Sequence, residues 1–107
     1  MTENPVLLYV TVKDRADAIR IGRALVEKRL AACTNVWDGM QSCYWWEGKI
    51  EQASEAVLLV KTVRERVPAA TQLIKALHAY QVPCILELPI QGGNPDYLAW
   101  LGEQTRG

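Results

Sequence analysis

The sequence has 107 residues, 12 basic and 12 acidic side chains, a formal net charge of zero and a hydrophobic half. That length holds one domain, 1–107, with enough core to stand without disulfide or metal staples. Charge balance removes the basic footprint of a nucleic-acid or anionic-membrane partner, and no apolar run approaches the ~18 residues of a membrane-spanning helix.

The chain opens with Met-Thr-Glu-Asn-Pro, which lacks a basic region followed by a hydrophobic one, so no secretory leader is expected. Val6 to Thr11 reads as a continuous apolar strand. Asp14 is then placed to cap a helix over Arg15 to Leu30, with Asp17 in the first turn, where the helix dipole favours negative charge. Ala18, Ile21, Gly22, Leu25 and Val26 form its apolar stripe. Gly22 on that stripe allows the helix to lie close to a sheet.

Thr34 to Trp37 begins a second strand, which Asp38-Gly39-Met40 interrupts; a glycine inside an extended segment predicts a bulge. Ser42 to Thr62 reads as a long β-hairpin turning at Glu47-Gly48. Its return strand carries the unbroken run Ala56-Val57-Leu58-Leu59-Val60. A second helix follows over Val63 to Leu77, with Val67, Ala70, Leu73, Ile74 and Leu77 on one stripe and Pro68 in its first turn. Cys84 to Leu88 is the last strand. Asn94 then caps a short C-terminal helix beginning at Pro95, with Tyr97, Leu98, Trp100 and Leu101 on its apolar side. The order β-α-β-β-α-β plus a helix predicts an α+β, ferredoxin-like fold with one antiparallel sheet.

Two helices cover one face of such a sheet. Yet Val6 to Val10 and Ala56 to Val60 are apolar at both parities, and a bare face of that size is rare on a soluble monomer. The pattern therefore predicts a homo-oligomer in which sheets of several copies pack together.

The sequence resembles the CutA family of divalent-cation tolerance proteins over nearly its whole length. The resemblance rests on Leu30-Ala31-Ala32-Cys33-Thr34-Asn35, on Ser42-Cys43-Tyr44-Trp45-Trp46-Glu47-Gly48-Lys49-Ile50-Glu51, and on Lys61-Thr62. His78-Ala79-Tyr80-Gln81-Val82-Pro83 and Tyr97-Leu98-Ala99-Trp100-Leu101 add to it. It implies a compact homotrimer related in architecture to PII-like signalling proteins, with a role in copper tolerance and copper or another divalent cation as its ligand. Ala79 and Cys84 stand where the family commonly has Pro and Glu. Val10 stands near a first-strand cysteine of some members, and Leu77 precedes the single His78 where some carry two adjacent histidines. A copper site built on those residues does not carry over intact.

The residues themselves offer few ligands. Three widely spaced cysteines, Cys33, Cys43 and Cys84, form no disulfide framework; they suit a reducing cytoplasm and serve as small hydrophobes. His78 and Cys84 are the metal candidates, against a structural histidine at a helix end. Tyr44, Trp46, Lys61, His78 and Tyr80 are candidates to line an inter-subunit cleft for a small anion, against the alternatives of a solvated lysine and aromatic interface anchors. A Cys33–His78 pair lacks supporting spacing, so no enzyme is expected. An RNA-recognition surface fails because the third strand lacks its basic-Gly-aromatic pattern and the chain has no Phe. Three readings stay open: a trimeric metal- or small-ligand-binding module of metal tolerance, a PII-like anion sensor that signals to a partner protein, and a stable scaffold whose effect on metal tolerance is indirect. Trp45 and Trp46 are expected to hold the trimer together.

Overall fold

In the computed structural model, residues 4–106 are described; Met1 to Glu3, the start of the segment read for a leader, lie outside them. The chain forms β1 (Pro5–Val12), α1 (Arg15–Glu27), β2 (Cys33–Trp46) and β3 (Lys49–Val63). After a 3-10 turn at Arg64–Arg66 come α2 (Val67–Leu77), β4 (Ile85–Pro89) and α3 (Pro95–Gln104). The strands make one sheet in the order β2-β3-β1-β4, antiparallel at every junction.

The expected caps form. The Asp17 N–H donates to Asp14 Oδ1 at 2.8 Å, and that bond, with help from Lys13, holds the Asp14 carboxyl below its ordinary range. Asn94 Oδ1 accepts from the Asp96 N–H at 3.1 Å ahead of Pro95. The first helix ends three residues earlier than its pattern suggests. Leu30 N–H bonds Leu25 O, Arg29 N–H bonds Val26 O, and Arg29 takes φ 59, which together make a Schellman stop. Arg29 occupies a position that glycine usually takes, and its guanidinium reaches Gln104 on α3.

The core lies between the sheet and the two longer helices. Leu8, Val10 and Val12 of β1, with Ala56, Leu58 and Val60 of β3, pack against Ala18, Ile21 and Leu25 of α1 and Ala70 and Ile74 of α2. Removing each large aliphatic side chain from water contributes about 1.5–3 kcal/mol. Val26, expected on the α1 stripe, is exposed. The opposite face carries Leu7, Tyr9, Leu59, Leu86, Leu88 and Trp37, since residues paired across an antiparallel ladder share a face. It is much less covered: Trp37 is 70%, Leu86 57% and Leu88 44% exposed. The apolar run of β3 is thus covered more fully on one face than on the other.

Two features shape the hairpin. Trp37 pairs with Val57 but Met40 with Glu55, so β2 holds one extra residue there, with Gly39 at φ 79. This is the expected bulge. At the tip Glu47 and Gly48 take φ 50 and 80, a pair of positive values matched to the strand twist, so Glu47 shares the strain expected of the glycine alone.

Gly22 has a specific reason to lack a side chain: a Cβ there would stand 2.7 Å from Thr34 Oγ1 and 3.1 Å from Leu58 Cδ1. Gly22→Ala should destabilise the protein by about 1–3 kcal/mol, read as a lower urea midpoint at unchanged slope.

Candidate functional site

β1 pairs with β3 only as far as Val12↔Ala56, so residues 49–55 of β3 and their β2 partners run on beyond the body of the sheet. The segment after α2 turns past the end of β1 and lies beside this overhang. Between them is a cavity of about 390 Å³, lined by Thr11, Ser42, Tyr44, Trp46, Glu55, Tyr80, Gln81, Val82 and Cys84. That volume falls in the range of small-molecule sites.

The bulge decides which hairpin residues reach the cavity. With one residue added between Trp37 and Met40, side-chain parity flips, and Ser42, Tyr44 and Trp46 come to the face that carries Thr11 and Glu55. Trp45 points to the other face, paired with Ile50; the two are 72% and 60% exposed. The adjacent tryptophans, expected to act together, are therefore separated by function of position. Trp46 walls the cavity and Trp45 faces outward.

The polar centre of the cavity is Glu55, buried although charged. Tyr80 donates its hydroxyl to Glu55 Oε2 at 2.7 Å. Burial first, then this bond and the Glu55 charge, push the Tyr80 phenol above the ordinary tyrosine range. Tyr80 is held in turn by His78, whose ring lies 4.7 Å from the Tyr80 ring. His78 Nε2 is 2.7 Å from the Thr11 carbonyl, and Nδ1 accepts the Tyr80 N–H at 3.0 Å. A carbonyl can only accept, so Nε2 carries the proton and both ring nitrogens are engaged.

The sequence candidates divide accordingly. Tyr44, Trp46 and Tyr80 come together within the single chain. His78 stands behind the cavity as a brace for Tyr80 and does not line it. Lys61 is elsewhere: its Nζ lies 3.5 Å from the Tyr97 hydroxyl and 5.5 Å from that ring's centroid, on α3. The five-residue cleft was expected between subunits; within one chain Lys61 lies outside this cavity. Of the metal pair, Cys84 lines the cavity but His78 offers no free nitrogen. No group of three or more His, Cys, Asp or Glu suited to a metal occurs among the described residues. The donor set does not fit a preformed copper site. Cys33 pairs with Lys61 and His78 bonds Thr11, near opposite ends of β3's contact with β1, so they form no nucleophile–base couple.

Glu55, Ser42 and Cys84 were not singled out for this site. Glu55 had a signal: it starts the apolar run at the parity of Val57 and Leu59, where a charge must find a partner.

Comparison with known proteins places the chain in a family. Residues 6–104 match the family model described as CutA1 divalent ion tolerance protein. The chain belongs to the CutA family. It is 46% identical over 99 residues to the divalent-cation tolerance protein CutA of Thermus thermophilus, covering 92% of this chain and 96% of that one. It is 42% identical to the chloroplastic Protein CutA 1 of Oryza sativa subsp. japonica over 94% of this chain, but spans only 57% of that relative's length. The crystal structure of CutA1 from Oryza sativa superposes with a TM-score of 0.95 at 41% identity, covering 98% of this chain and 96% of that one.

Tyr80→Phe should cost about 1–3 kcal/mol, because it leaves the buried Glu55 carboxylate without its donor. The linkage also has a sign. A phenol whose pKa rises on folding contributes stability that is complete below the unfolded value of about 10 and is lost as pH climbs above it. Ultraviolet titration of tyrosinate should show one tyrosine fewer ionising in the ordinary range for wild type, and no such late group in Tyr80→Phe.

Proposed function

We propose that this CutA-family chain acts as a homotrimer in divalent-cation tolerance, as a ligand-binding module and not as a catalyst. The observation that carries this reading is the cavity at the hairpin root, with its aromatic walls and one buried carboxylate. The strand order and the placement of α1 and α2 on one face support the ferredoxin-like assignment. The uncovered face with Trp37, Leu86 and Leu88, and the outward pair Trp45 and Ile50, supply apolar surface for neighbouring copies.

A metal role is better served at such an assembly, or indirectly, than by His78 within one chain, since a metal would have to displace the Thr11 and Tyr80 bonds of its ring. The PII-like reading keeps its small-molecule cavity, but an anion there would need its cation from a neighbouring copy, because Lys61 of the same chain lies against α3. No described helix is long and apolar enough to cross a membrane. The free cysteines support a cytoplasmic, reducing setting, and the chloroplastic rice relative shows that the compartment varies among similar proteins.

Light scattering behind size exclusion should give a mass about three times the 12.0 kDa of the chain. A 12.0 kDa species would overturn the trimer. Trp45→Ala should promote dissociation on dilution, whereas Trp46→Ala should do so less. In calorimetric titration with Cu(II), His78→Ala should bind as wild type does; a clear loss would restore His78 as a ligand.

A further inference from the structure

Glu55 is the one charged side chain that lines the cavity, and it is 8% exposed. Within the chain its partner is the neutral Tyr80 hydroxyl, and among the described residues its carboxylate forms no ion pair. A carboxylate held out of water without a cation is costly, and a cation brought from outside lowers that cost. The cavity opens on the sheet face left bare by α1 and α2. Glu55, Val57, Leu59 and Lys61 alternate onto that face, with Tyr9 opposite Leu59 and Leu7 opposite Lys61.

Few cations could reach Glu55 from a second copy laid on this face. Of the 12 basic side chains, only Lys49 and Lys61 lie on strands, and α3 carries none. Lys49 is exposed at the tip of the hairpin. Lys61 is half-buried in an aromatic corner. Its Nζ lies 3.5 Å from the Tyr97 hydroxyl, and the Tyr97 ring lies 5.4 Å from that of Trp100. Tyr97 and Trp100 are 38% and 39% exposed, so the corner offers a cation beside two open ring surfaces. The cavity offers the complement, a carboxylate behind Tyr44 and Trp46. Aromatic residues around a charge pair are the usual makings of an interface core.

Within one chain the two surfaces cannot meet. Glu55 and Lys61 stand six positions apart on one extended strand, roughly 20 Å. Contact between them has to join two copies. Since cavity and corner are different surfaces, that contact is heterologous, and a fixed rotation repeats it into a closed ring.

We infer that the Lys61–Tyr97–Trp100 corner of one copy closes the cavity of its neighbour, with Lys61 Nζ paired to the Glu55 oxygen that Tyr80 leaves free. Each copy then gives its carboxylate to one site and its lysine to the next, and the cavity is complete only in the assembly. The pairing rests on the homotrimer reading and gives that assembly a specific contact.

The test is a double-mutant cycle on subunit dissociation, followed by analytical ultracentrifugation of the full chain on dilution. Wild type is compared with Glu55→Gln, Lys61→Met and the double variant. Glu55→Gln keeps an acceptor for Tyr80, and circular dichroism melts show that each variant is folded. Each single substitution should raise the half-dissociation concentration about tenfold or more. The double variant should match a single one within about threefold, where independent sites would multiply their effects. Residues roughly 20 Å apart in one chain behave independently, so coupling reports a contact between copies. Lys49→Met is the control and should show no coupling to Glu55→Gln. Trp100→Ala changes a half-exposed side chain outside the core, and should weaken the assembly about fivefold or more.

Multiplying effects of Glu55→Gln and Lys61→Met in folded trimers would overturn the pairing and leave the trimer standing. Coupling of Glu55 to Lys49 in place of Lys61, or a Trp100→Ala trimer as tight as wild type, would also overturn it. A 12.0 kDa species at every concentration would overturn the trimer itself, and the pairing with it.

Discussion

The structure depends on a mismatch of strand lengths. β3 has fifteen residues and β1 has eight, and their register ends at Val12↔Ala56. Up to that pair β3 is a central strand, hydrogen-bonded on both sides and packed by α1. Beyond it the same strand has a partner on one side only. The cavity exists because the chain after α2 comes to rest beside this half-partnered stretch. The buried Glu55 is the first residue past the last rung shared with β1, where the apolar core gives way to the overhang.

The bulge at Asp38-Gly39 is the second determinant, and it acts through parity. Without the extra residue, Gln41, Cys43 and Trp45 would face Glu55, and the tyrosine of the motif would point away. One inserted residue brings Ser42, Tyr44 and Trp46 inward. Gly39 accommodates it at φ 79, in the left-handed region that residues with a Cβ seldom adopt.

Much of the fold was legible in the sequence because its signals are local. Asp14 and Asn94 announce their helices through short-range capping, and Gly39 and Gly48 announce their bends. The failures are of longer range. The end of α1 depends on Arg29 adopting a conformation that its residue type does not advertise, with Gln104 from the far end of the chain beside it. Val26 fits the helical stripe but is 39% exposed. Lys61 was grouped with Tyr44 and Trp46 on the expectation that strand ends of several subunits meet; within one chain the long hairpin sets its two ends beside different neighbours. His78 stood between a metal candidate and a structural histidine at a helix end; the two bonds that engage its ring join residues 67 and two positions away. The site itself was half visible: the aromatic residues stood out, while the carboxylate at their centre did not.

The overhang also has a mechanical consequence. From Glu55 to the turn at Gly48 is seven residues of extended chain, roughly 23 Å, stiffened by its pairing with β2. A rigid arm of that length is a lever with its fulcrum at the cavity. A rotation of about 5° at the root would move the tip by roughly 2 Å, as much as many loop rearrangements on binding.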